Sequence, residues 1–277
     1  MRRLILLSGS FALLISVLVS CSPERNLARA YVRNHKWDGI MLSPCNQLFK
    51  ANPGAYMDKS RFTTEAEQDS VAYYSSSYVQ YVSDSVFLTL FTNSLIDELG
   101  SMGFQVVMDQ SADLFLNSPN PAWIVQLTQL QLEEDFTVKY AYGYDDEDRE
   151  YYQDYRINSV GLNSWTEVNR VNSEEGTKQL LYLSGFIEDD LNQAVRLDFY
   201  RGQFYFSNSR DTISFADIYR MASQSGKKHA ELLFDYFMND YIRRNLHHSA
   251  ATRREMHYSP KMNKITAGLP ERFEVVH

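Results

Sequence analysis

Thiols, imidazoles, clustered acids and surface aromatics are the groups from which this chain of 277 residues could build chemistry. It has two cysteines and six histidines. Two thiols are too few for a disulfide framework or a cysteine-rich zinc or iron–sulfur centre. Cys45 follows an apolar run in Leu42-Ser43-Pro44 and reads as a small buried residue, since a reactive thiol needs a neighbouring base. His35, His229, His247, His248 and His257 do not show the His-Glu-x-x-His spacing that puts two imidazoles on one helix face. Asp145, Asp146, Glu147 and Asp148 are consecutive, whereas a calcium loop alternates its acids and turns on a glycine. They read as a solvated turn between two strands. A Gly-rich phosphate loop and a Gly-x-Ser-x-Gly elbow are both absent from the sequence. No catalytic residue, metal ligand or cofactor is assigned. A hydrolase using a carboxylate pair stays open, because such a pair is defined by separation in space.

Aromatics are the remaining resource: 3 Trp, 19 Tyr and 16 Phe. Tyr and Trp at a surface stack on sugar rings or anchor a protein partner. Trp123 lies in a run that reads as core. The binding candidates are Trp165, the cluster Tyr73, Tyr74 and Tyr78, and Tyr142, Tyr144, Tyr151 and Tyr152 in the acidic segment 140–156. A formal charge of −8 argues against a nucleic-acid partner.

The N-terminus carries an address. Arg2 and Arg3 precede Leu4 to Val19, 16 residues without a charge. A basic start and an apolar run have the form of a secretory signal, and about 20 residues would be needed to span a bilayer. The run ends in Leu18-Val19-Ser20-Cys21, which resembles the lipobox of bacterial lipoproteins. That resemblance implies cleavage before Cys21, lipid on its sulfur, and anchoring through acyl chains. Each buried CH₂ is worth about 0.8 kcal/mol, so several chains hold firmly. Ser22 follows, not the Asp that resembles an inner-membrane retention mark, and only Glu24 is acidic nearby. The expectation is the outer membrane, on its periplasmic face. Without residues 1–20, 25 Lys/Arg stand against 35 Asp/Glu, a net charge of −10.

The elements that must position these side chains follow from periodicity. Residues 21–36 are polar and mixed in charge, and read as a tether. Trp37 to Leu42 reads as a first strand, stopped at Ser43-Pro44. Residues 46–78 show no clear period. Phe87, Phe91, Leu95 and Leu99 recur every fourth residue and predict a helix over 83–99, with Gly100 as its stop. Phe104 to Met108 and Trp123 to Leu132 read as strands, the second with a bulge near Thr128-Gln129 that reconciles its two apolar phases. Further strands fall at 157–168 and 179–187. Arg201-Gly202 closes a hairpin that sets Phe199 opposite Phe204 and Leu197 opposite Phe206. Ala230, Leu233, Phe234, Phe237, Met238, Tyr241 and Ile242 predict a long amphipathic helix. Residues 247–277 lose all pattern. Seven Lys/Arg and three Asp/Glu over 243–277 make this a basic tail that reads as flexible.

These features predict an α+β fold: a mixed, mostly antiparallel sheet, helices packed on one face, and a long C-terminal amphipathic helix. The organisation is a signal at 1–20, a tether at 21–36, one domain at 37–246 and the tail at 247–277. Ile40-Met41-Leu42-Ser43-Pro44, the helix through Leu99, Gly103-Phe104-Gln105-Val106-Val107 and Trp123 to Leu132 together resemble a small α/β sandwich of envelope lipoproteins. That group includes the TolB N-terminal domain, the curli-secretion lipoprotein and auxiliary lipoproteins of ABC-type lipid transport. The Tyr-rich composition and lipobox also resemble Bacteroidales envelope lipoproteins. The lipobox, one folded domain and the lack of a catalytic constellation in the sequence lead to the expectation of a non-enzymatic accessory or assembly subunit of an outer-membrane complex, held by its lipid and docking a protein partner. A surface glycan-binding lipoprotein is the alternative.

Overall fold

The computed structural model describes residues 22–55, 62, 64–171, 178–191, 196–207, 210–246, 254–269 and 271–276. The signal and Cys21 lie outside these residues, as do His247 and His248. The fold is α+β, with a mixed, mostly antiparallel sheet and a long helix towards the C-terminus. The main sheet is built from β1 (Gly39–Ser43), β2 (Leu48–Ala51), β3 (Gln105–Met108), β4 (Pro121–Tyr144), β5 (Glu150–Arg170), β6 (Gln179–Glu188) and β13 (Glu274–Val276), while β7 (Asp190–Leu191) and β10 (Arg210–Asp211) pair separately. The main sheet order is β13-β6-β5-β4-β1-β3, and β2 also pairs with β4. β1 runs parallel to β3 and β4, and β2 parallel to β4. β4, β5, β6 and β13 form an antiparallel succession.

β4 and β5 stay paired from Trp123↔Arg170 out to Tyr144↔Glu150. Their register shifts between Leu127 and Gln129, where the two apolar phases of the sequence required a bulge. The shift keeps Val125, Leu127, Leu130 and Leu132 on one buried face. Beyond the sheet the pair continues as a two-stranded ribbon. A separate hairpin, β8 (Arg196–Tyr200) and β9 (Gln203–Ser207), has the expected register, Leu197↔Phe206 and Phe199↔Phe204. It packs on the ribbon through Tyr151 and Phe204, whose ring centroids are 4.8 Å apart.

Two long helices, α3 (Asp84–Ser101) and α5 (Phe215–Asn245), cover one face of the sheet, and α1 (Pro23–Asn34) packs against α5. α2 (Glu65–Tyr74) and α4 (Ala112–Leu116) are shorter. α3 buries Phe87, Phe91, Leu95 and Leu99, the stripe that predicted it. α5 begins at Ser214, which accepts from the Asp217 N–H while the Asp217 carboxylate accepts from the Ser214 N–H. This reciprocal cap satisfies two orphan donors of the first turn. Its stripe packs through Phe234, Phe237 and Met238, all fully buried, and Phe237 stacks on Trp123 at 4.3 Å.

Two expectations need correction. The segment expected as a tether is a helix of the body: Ser22 caps α1 by accepting from the Arg25 N–H, and Ala28 and Tyr31 are buried. The pattern had been hidden because only the Ala28 and Tyr31 side of a highly charged helix faces the core. The tail is also ordered where described. β11 (Met256–Ser259) and β12 (Lys264–Ala267) form a hairpin against α5, and β13 adds to the edge of β6. Polar side chains of α5 hold this hairpin, so an apolar period had little to report. Asn239 donates to the Met256 carbonyl at 2.8 Å and accepts from its N–H at 2.8 Å, and Asp235 accepts from the Tyr258 N–H at 2.9 Å.

Candidate functional site

The aromatic candidates fall in three separate places. Tyr73 and Tyr74 end α2, Tyr74 being 71% exposed, while Tyr78 packs edge-on against Phe215. Tyr142, Tyr144 and Tyr152 stand exposed on the ribbon, and Tyr151 turns inward to Phe204. Trp165 lies in the middle of the sheet on the face away from α1, α3 and α5. The structure does not bring it together with either tyrosine cluster.

The four-acid run is a ribbon turn organised by Asp145. Its carboxylate accepts from the Glu147 and Arg149 N–H groups, the Arg149 guanidinium at 2.7 Å and the Tyr151 hydroxyl at 3.0 Å. Desolvation pushes this carboxyl up, but those bonds outweigh it and hold it at about 2. Asp145 shapes a turn and is already fully engaged. Among the described residues no group of three or more His, Cys, Asp or Glu is placed to hold a metal ion. Cys45 is half-buried, with its thiol donating to the Gln47 carbonyl at 2.9 Å.

A cleft of about 370 Å³ runs between α5 and the C-terminal segment, lined by Asp235, Tyr236, Glu255, Glu271 and Arg272 among others. Three of its acids face bases. Asp235 lies 2.6 Å from His257 Nδ1, Glu271 is 2.5 Å from Lys228, and Glu255 is 3.7 Å from Arg272. Burial is the main force on Asp235 and raises it to about 6, against the pull of His257 and the Tyr258 N–H. An Asp–His pair can orient a general base. Among the described residues the His257 ring is hydrogen-bonded to Asp235. The cleft is a seam fastening the C-terminal segment to α5.

His229 lies fully buried on α5. Its Nε2 is 2.9 Å from Thr166 Oγ1, and its Nδ1 has no partner among the described residues. Burial alone lowers this imidazole to about 3, so it is neutral at ordinary pH. The Phe91 and Phe273 rings pack on it at 5.7 Å and 4.8 Å. It is a core histidine linking sheet to helix.

The face of the sheet that no described helix covers is different in kind, and Trp165 and Tyr182 are half-buried on it. Trp165 and Tyr182 are direct cross-strand neighbours, their ring centroids 5.1 Å apart at 45°. The Tyr182 hydroxyl donates to Asn163 Oδ1 at 2.7 Å. On β4, Gln129 donates to Gln131 at 2.8 Å and Gln131 to Glu133 at 2.6 Å. The register sets Gln129 beside Trp165 and Gln131 beside Asn163. Tyr182 and the glutamine row were missed because their neighbourhood depends on the pairing register. No family model matches the chain, and no curated protein matches it either.

Proposed function

We propose that this chain is a lipid-anchored, non-enzymatic protein of the bacterial envelope, serving as an accessory or assembly subunit of an outer-membrane complex on the periplasmic face. The observation that carries this reading is that α1 is capped by Ser22, the residue that follows Cys21 in the sequence. A lipid on Cys21 would then hold the domain directly against the bilayer, with no slack chain between. Burial of Ala28 and Tyr31 makes α1 a rigid link from that lipid to α5. Among the described residues no helix is long and apolar enough to cross a membrane.

The ribbon presents exposed tyrosines to a partner. Tyr140, Tyr142, Tyr144 and Tyr152 supply large contact area with few rotatable bonds. The test is crosslinking in intact cells, gentle solubilisation and identification of what the chain carries. A tag after His277 followed by external protease reports the membrane face. The reading predicts protection until the outer membrane is opened, and a defined crosslinked partner. Recovery of the chain alone, or cleavage in intact cells, would oppose it.

A further inference from the structure

We infer that the open face of the sheet is a binding site for a neutral oligosaccharide, centred on Trp165 and Tyr182. This is independent of the anchor reading and would hold for an unlipidated chain. Three features of the face fit that ligand class together.

The first is an apolar platform of the correct kind. Sugar rings present a C–H face that packs on an aromatic plane, and indole offers the largest. Trp165 sits mid-sheet, held by Tyr182 at 5.1 Å and by β4 and β6 on either side. An indole fixed in this way loses little freedom when a ligand stacks on it.

The second is a row of planar polar groups beside that platform. Gln129, Gln131, Asn163 and Glu133 point to the same face. Amides both donate and accept, and carboxylates accept from hydroxyls. The rail Gln129–Gln131–Glu133 and the Tyr182–Asn163 bond fix their orientation before any ligand arrives. Preorganised amides beside an aromatic ring match alternating hydroxyls and C–H faces. Further along β6, Phe186 is 69% exposed and lies beside Gly161. It is four residues from Tyr182, about 13 Å along a strand. Two aromatic stations flanking an amide row suit a chain of sugars better than one ring.

The third is charge. The register places Glu133, Glu167 and Glu274 on this face. Lys178 reaches it but is bound to Glu167 at 2.5 Å. A phosphate, a nucleic acid or an acidic polysaccharide would meet net negative charge. A neutral polyhydroxylated ligand meets none of that repulsion.

The test titrates full-length protein in a zwitterionic detergent, since alkyl glycoside detergents are themselves ligands of this class. A panel of neutral α- and β-linked oligosaccharides is followed by calorimetry and saturation-transfer NMR. Binding in the micromolar to millimolar range is expected, weakened at least tenfold by Trp165→Ala and several-fold by Gln131→Leu or Tyr182→Phe. Tyr140→Ala on the ribbon should leave it unchanged, and so should Cys21→Ser, which removes any anchor. A thermal melt on each variant separates lost binding from lost folding, and Trp165→Phe keeps an aromatic plane if Trp165→Ala unfolds. Three results would overturn the inference: no binding across the panel, binding indifferent to Trp165, or preference for anionic sugars.

Discussion

Gly226 of α5 lies against Phe91 of α3 so closely that a Cβ on the glycine would stand 2.3 Å from the Phe91 carbonyl oxygen. The two helices meet backbone to backbone there, which lets α5 bury His229, Ala230 and Leu233 just beyond the crossing. Gly226→Ala forces the helices apart. The expected loss is about 1–3 kcal/mol, by analogy with overpacked cores, read from urea unfolding. Gly100 near the end of α3 is the control, since a Cβ there meets nothing within 4 Å. Gly100→Ala should be neutral or add up to about 1 kcal/mol.

Glu134 is a buried carboxylate that organises the turn before α3. It accepts from the N–H groups of Ser77, Tyr78 and Val79 at 2.7, 2.8 and 3.2 Å. Removing it strands three donors beneath the surface. Glu134→Ala should cost about 2–4 kcal/mol, and Glu134→Gln about half, because an amide keeps one acceptor. The denaturation midpoints of the two variants should fall in that order.

Asn239 substitutes for a neighbouring strand by bonding both backbone groups of Met256. Asn239→Ala should release β11 and β12 while the sheet stays folded. Hydrogen exchange should rise over 254–269 and remain slow in β4 and β5. Equal acceleration everywhere would show that the hairpin is not a separable unit.

His229 gives a pH dependence with a defined sign. Its folded value of about 3 lies below the ordinary 6.5. The unfolded chain therefore binds the extra proton, and this contribution is full above about pH 6.5 and lost as pH falls towards 3. The slope is about 1.4 kcal/mol per pH unit in that window. Asp235 works the other way. Its value is raised to about 6, so its contribution is present below 3.8 and lost as pH rises through 6. The two oppose each other between pH 4 and 6. A comparison of wild type with His229→Leu isolates the first: their stability difference should shift by more than 1 kcal/mol in favour of the variant between pH 7 and pH 5.

Periodicity carried much of the fold. The four-residue stripe of α3, the bulge in β4 and the Arg201-Gly202 hairpin register each follow from spacing that only one local geometry satisfies. α5 was legible from Ala230 onward, but its first half, Phe215 to His229, was not. There Ser223-Gln224-Ser225-Gly226-Lys227-Lys228 interrupts the apolar stripe, because the helix approaches α3 through a glycine. α1 and the C-terminal hairpin escaped for a related reason, since few apolar residues or polar clamps hold them. Trp165 was legible as a binding candidate by type alone. Its partners Tyr182, Asn163 and Gln131 come from three strands and are set by register, which no local pattern reports.

The account turns on Cys21. The most direct measurement is metabolic labelling with radioactive palmitate in a bacterial host, on wild type and Cys21→Ser, followed by membrane fractionation. The account predicts label on wild type alone, with the wild-type chain in the membrane fraction and the variant lacking stable attachment. Absence of label on a correctly exported wild-type chain, or a variant that remains equally membrane-bound, would contradict it.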